Sequence, residues 1–177
     1  EADLLKLAGY RRAIANFVNI VTGDSIPVRF NNNDQSYTDG KEVVISGKIN
    51  EKDFDSTVGL ALHEGSHIKL TDFKVLPELY SNVPSRVKEA VKRRFPDAED
   101  WAIANYIESK LKNLLNIVED RRIDNYVFKS APGYKGYYNA LYDRYFHSKS
   151  IDKGLQSGDY RELDWESYMF RLINITN

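Results

Sequence analysis

The chain has no cysteine, which excludes disulfide staples, thiolate zinc sites and thiol nucleophiles and suits a reducing compartment. It also lacks any apolar run near the roughly 18 residues that a membrane-crossing helix requires, and no signal peptide is visible. A cytoplasmic location with no membrane partner is the expectation. Neither sign of charge dominates: the net charge is −1, so no global field points to nucleic acid. The nearest basic patch, Arg86, Lys88, Lys92, Arg93 and Arg94, is interrupted by Glu89 and followed by Asp97, Glu99 and Asp100. A solvated helix face accounts for it, and no nucleic-acid partner is expected. Repeats and low-complexity tracts are absent too. With 177 residues, 42% of them hydrophobic, the chain reads as a single domain over 1–177. It starts at Glu1 without methionine, which suggests a fragment or a processed product.

What is present is mostly helical pattern. Residues 2–21 space Leu4, Leu5, Leu7, Ala8, Ile14, Phe17, Val18 and Val21 as one amphipathic helix, ended by Thr22-Gly23-Asp24. Residues 26–30 alternate as a strand, 31–35 form a loop, and 37–46 form a hairpin turning at Asp39-Gly40. A helix over about 54–71 follows, capped by Asp55 or Ser56. A polar connection from Pro77 to Pro84 leads to a short helix at about 84–94. A long helix runs from about 98 to 128 and breaks at Ala131-Pro132-Gly133. Closing helices are expected at 137–147 and 165–175. The fold class is α+β, mostly helical, with a small N-terminal antiparallel sheet or hairpin and a helical C-terminal part.

The chain has only three histidines, and two of them form His63-Glu64-Gly65-Ser66-His67. On a helix, residues four apart share a face, so both imidazoles can reach one small cation. Zinc suits such a pair, because it takes neutral imidazole nitrogen and imposes no electronic geometry. Glu64 lies beside the pair, where its carboxylate can deprotonate a water. Gly65, costly inside a helix, is read as permitting close packing of a neighbouring element.

A catalytic zinc site needs a third protein ligand and an open position. With Ile103 as origin on a helical wheel, Ile107, Leu111, Leu114 and Val118 cluster within about 80°. Glu119 falls on the flank of that stripe, and Asp120 nearly opposite it. Glu119 is then a ligand, an ion-pair partner of Arg122, or a rim residue. His147, the remaining histidine, is the competing ligand, and partial exposure is its commoner fate.

The ordered pair His63-Glu64-x-x-His67 and Asn116-Ile117-Val118-Glu119-Asp120-Arg121-Arg122-Ile123-Asp124 resembles the gluzincin-like metallopeptidases associated with von Willebrand factor A domains. That group includes the cobaltochelatase CobT-like proteins and phage-encoded members. Their second motif, roughly Asn-x-x-Glu-Asp-x-Arg-Ile-Glu, is matched at Asn116, Glu119, Asp120, Arg122 and Ile123, with Asp124 in place of the last glutamate. The resemblance covers about 26–145. It implies a zincin fold, zinc as cofactor and Glu119 as the third ligand beside His63 and His67. The sequence shows no von Willebrand-type domain, so the expectation is that any partner-domain function is missing or lies on a partner protein or domain of another polypeptide.

The expected activity is zinc-dependent hydrolysis of peptide bonds, with Glu64 as general base and a protein or peptide as substrate. Two other classes stand beside it: a zinc-binding, non-proteolytic assembly or interaction module on a zincin scaffold, and a metal-dependent hydrolase of a non-peptide amide. Asn116, Asp120 and Arg122 are candidates for the outer shell around the ligands. Tyr134, Tyr137 and Tyr138 are candidates for stabilising an oxyanion, with packing the commoner role for each. The 42–46 strand is the candidate edge for pairing an extended substrate.

Overall fold

Apolar spacing sets most of the elements. The computed structural model describes residues 2–33 and 35–176; Glu1, Asp34 (within the expected 31–35 loop) and Asn177 lie outside the described residues. Helix α1 spans Ala2–Thr22 and is followed by the strands β1 (Val28–Asn31), β2 (Tyr37–Thr38) and β3 (Val43–Ser46). The motif helix α2 spans Phe54–Leu70, and α3 (Val75–Ser81) and α4 (Ser85–Arg94) follow it. The long helix α5 spans Asp100–Ser130, and a 3-10 turn at Pro132–Tyr134 leads to α6 (Lys135–Tyr145). Helices α7 (Lys149–Gln156) and α8 (Trp165–Ile175) close the chain. The class is α+β. No helix among the described residues is long and apolar enough to cross a membrane.

The chain divides into two compact units, one of residues 1–71 with 121–177 and one of residues 72–120. In the first, α1, α2, α6 and the sheet surround a core of Ile14, Val18, Val43, Ile45, Val58, Leu62 and Tyr138. Gly23 ends α1 in the left-handed region at φ +71°, where only glycine rests without strain. In the second unit Ile103 and Ile107 are buried, Phe95 packs edge-on against Tyr106 with ring centroids 5.3 Å apart, and Lys92 Nζ donates to the carbonyl of Ala98 at 2.6 Å.

The sheet departs from the expected antiparallel one. Its order is β1-β3-β2, with β1 parallel to β3 and β2 antiparallel to it. β3 takes the centre because Val43, Val44 and Ile45 are apolar throughout and wholly buried, as a strand covered on both faces must be. β1 and β2, with Arg29 and the half-exposed Tyr37, suit the edges. The 42–46 strand is therefore not an edge. The hairpin itself stands as expected. Gly40 sits at φ +85°, and Asp39 Oδ1 accepts the backbone N–H groups of Lys41 and Glu42 at 2.8 and 2.9 Å.

Two helices escape the sequence pattern. The segment read as a polar connection holds α3, whose Pro77 falls in the first turn, where a missing N–H costs no helical bond. Helix α7, capped by Ser148, occupies 149–156. The motif helix starts one residue before the expected caps, with Asp53 at its N-cap. Asp53 instead offers its backbone carbonyl to the hydroxyls of Ser56 and Thr57 at 3.0 and 2.7 Å.

Candidate metal centre

Helix α2 carries the two motif histidines, and close neighbours hold it on three sides. Arg144 of α6 pairs with Asp53 Oδ1 and donates to Ser56 Oγ, both at 3.1 Å, which ties down the start of the helix. A Cβ on Gly59 would lie 2.3 Å from the carbonyl oxygen of Tyr137, and one on Gly65 would lie 2.8 Å from Val18 Cγ1. These glycines let α6 and α1 close on α2, as expected for Gly65 and unanticipated for Gly59. At the other end, Arg122 donates from Nη2 to the carbonyl of Leu70 at 2.6 Å. A guanidinium there meets both a carbonyl without an intrahelical partner and the negative end of the helix dipole.

The two imidazoles are half-buried on one face of α2. Their Nε2 atoms face each other at 3.3 Å, with the ring planes at 89°. Each Nδ1 is engaged elsewhere: His63 Nδ1 lies 2.8 Å from Asp124 Oδ1, and His67 Nδ1 lies 2.9 Å from Thr71 Oγ1. Two nitrogens on a tetrahedral zinc, each about 2.0–2.1 Å from it, stand about 3.3 Å apart. The donor pair thus has the separation that a shared zinc requires, with the Nδ1 contacts characteristic of metal-bound histidine.

One ligand atom each from His63, His67 and Asp120 lies within 4.8 Å of the others, a group that can hold a metal ion. Helix continuity explains why Asp120 is in it. Asp120 precedes Asp124 by four residues, one turn of the same helix and the same face. The stripe anchored on Ile103 does not persist along α5: Val118, assigned to the core, is 56% exposed, whereas Ile117, Ile123, Asp124 and Val127 are buried. These four and Asp120 fall within about 120° on the wheel, far round from the Ile103 face. The wheel argument that set Glu119 on the core flank and Asp120 opposite therefore fails for this part of the helix. Glu119 itself is half-buried.

Asp124 is the residue that sequence reasoning missed. Its side chain is 3% exposed, and its carboxylate meets His63 through Oδ1. Oδ2 accepts from the Tyr142 hydroxyl, and Arg121 Nη2 lies 3.4 Å from it. Arg121 also stacks over the Tyr142 ring at 5.4 Å. Burial, and then the Asp124 charge, push the Tyr142 phenol well above its ordinary range. The available signal was the final acid of the second motif, one turn beyond Asp120.

The remaining candidates spread out. Glu64 is half-buried beside His63, and Asn116 is exposed. Tyr134 and Tyr137 pack around Phe17 with ring centroids 5.7 Å away in each case. Tyr138 is fully buried in the core, where burial raises its phenol pKa. His147 sits half-exposed, 3.7 Å from Asp143 Oδ1, and is not among the grouped ligand atoms of the described residues. Comparisons with protein-family models, with curated proteins and with solved structures found no match to this chain.

Proposed function

We propose that the protein is a zinc-dependent metallopeptidase, with His63, His67 and a carboxylate of the Glu119-Asp120 pair as metal ligands and Glu64 as general base. The observation that carries this reading is the pair of Nε2 atoms converging at 3.3 Å while both Nδ1 atoms are held from behind. Zinc bound there would polarise a scissile carbonyl and favour deprotonation of a water at the open position. Glu64, next in sequence to His63, takes the proton of the attacking water and returns it to the leaving amine. A binding-only site has no need of that base. Asp120 is supported as the third ligand by its distance to both rings, and Glu119 by the motif resemblance. The α+β architecture, with the motif on a helix against a sheet, supports a zincin-like arrangement. The substrate reading is an extended peptide, paired along the edge of β2, the edge strand that lies against α2.

Glu64→Gln tests the reading, because the amide matches the carboxylate in shape and lacks its basicity. Zinc-loaded wild type should cleave a mixed quenched-fluorescent peptide library, and the variant should lose at least about 100-fold in rate while retaining zinc. Equal cleavage by the two proteins would remove Glu64 from the mechanism. Zinc binding without cleavage by either would replace the peptidase with a zinc-binding interaction module.

A further inference from the structure

We propose that helix α4, with the cavity beside it, is a docking surface for an acidic segment of a partner protein, one apolar side chain of which enters the cavity. The cavity measures about 420 Å³, within the range of about 300–1,000 Å³ in which proteins hold ligands. It lies wholly in the unit of residues 72–120. Tyr80 of α3 and Ile103, Ala104 and Ile107 of α5 give it a mostly apolar wall, and the exposed Lys88 and Lys92 line it from α4. Helix α4 has no buried residue, and Val87 within it and Phe95 at its C-cap are 37% and 38% exposed. A helix this polar is ordinarily steadied by ion pairs one turn apart. Here Lys88 and Lys92, one turn apart, repel instead. Among the described residues no carboxylate pairs with Arg86, Lys88, Arg93 or Arg94, and the remaining cation, Lys92, meets only the exposed Asp100, at 3.6 Å.

Charge complementarity identifies the occupant. Arg86 to Arg94 covers about 12 Å of helix axis, a length that about four residues of an extended chain span and that a small anion does not. Carboxylates along such a segment meet the four unanswered cations, and an aliphatic or aromatic side chain fills the cavity, an apolar anchor inside a charged rim. A nucleic acid fits this surface less well. Glu89 and Asp100 also line the cavity and repel phosphate, and a chain of net charge −1 lacks the broad positive field that a phosphate backbone exploits. The docking surface does not depend on zinc, because it includes none of the candidate metal ligands.

The test is a fluorescence-anisotropy titration of the full chain with a labelled peptide of glutamate, serine and glycine that carries one central leucine. Two control peptides replace the leucine by serine or every glutamate by glutamine, and an oligothymidylate of similar length is the third control. The acidic leucine peptide should bind, and the serine control should bind at least about tenfold more weakly. Binding should weaken as salt rises, because the screening length falls from about 30 Å at about 0.01 M to about 3 Å at about 1 M. Lys88→Glu should lower the affinity at least about tenfold, and Ala104→Leu, which fills the cavity, should also lower it. Lys88 is exposed, so its variant decides the matter if Ala104→Leu does not fold. No binding of the acidic leucine peptide overturns the proposal. So does binding that is indifferent to the central leucine, to the glutamates, to Lys88→Glu or to a folded Ala104→Leu, and so does tighter binding of the oligothymidylate.

Discussion

The two halves of α5 follow similar helical patterns and bury different chemistry. From Asp100 to Asp120 the buried side chains among the described residues are apolar, Ile103, Ile107 and Ile117, while Trp101 is 69% exposed. From Arg121 to Ser130 the buried set is Ile123, Val127 and the carboxylate of Asp124. A helix that needed only a core would repeat the first arrangement. The second places a buried carboxylate against His63, so the two halves differ in what they bury rather than in how regularly they bury it.

Substitutions along α5 and its contacts can break that contrast. The largest effect is expected for Asp124→Leu, which keeps side-chain bulk and leaves the mostly buried Arg121 without its carboxylate. Loss of one partner of a buried pair costs about 3–5 kcal/mol, read from urea unfolding. Ile123→Ala should cost about 2–5 kcal/mol by the same measurement, since Ile123 is fully buried. Zinc at a hundred times its dissociation constant should stabilise wild type by about 2.7 kcal/mol, and His67→Ala should abolish that increment.

The alkaline limb gives a finer test. The Tyr142 phenol has a folded pKa raised above the ordinary 10.0, so its stabilising contribution is complete below about pH 10 and is lost as pH rises from there toward the folded value. Stability measured between pH 9 and 11 should fall with a shallower slope in Tyr142→Phe than in wild type. The smallest effect is expected in the first half of α5. Val118→Ala, at an exposed position, should change stability by no more than about 0.5 kcal/mol. A loss comparable to that of Ile123→Ala would mean that the two halves do not differ as described.

Local chemistry made several features legible in sequence. The β2–β3 hairpin follows from Asp39-Gly40, because a turn residue and a left-handed glycine act within four positions. The motif helix and the long helix follow from periodicity, and Gly65 from its cost inside a helix. The rest depends on distant partners. β3 looked like an edge because neighbours in sequence suggest neighbours in space, yet β1 enters on its other side. Gly59 faces Tyr137, 78 positions further along the chain, which no local pattern foretells. Asp124 reaches His63 across 61 positions. On the wheel it was hidden because the buried face of α5 rotates between Ile107 and Ile117, so a stripe fitted to the first half misassigns the second.

The most direct test of the central claim is the metal content of wild type purified without chelator, by elemental mass spectrometry, with His63→Ala, Glu119→Ala and Asp120→Ala measured alongside. About one zinc per chain in wild type, lost in His63→Ala and in one of the two carboxylate variants, is the expected result. A wild-type chain that carries no zinc, and takes up none when zinc is added, would contradict the account.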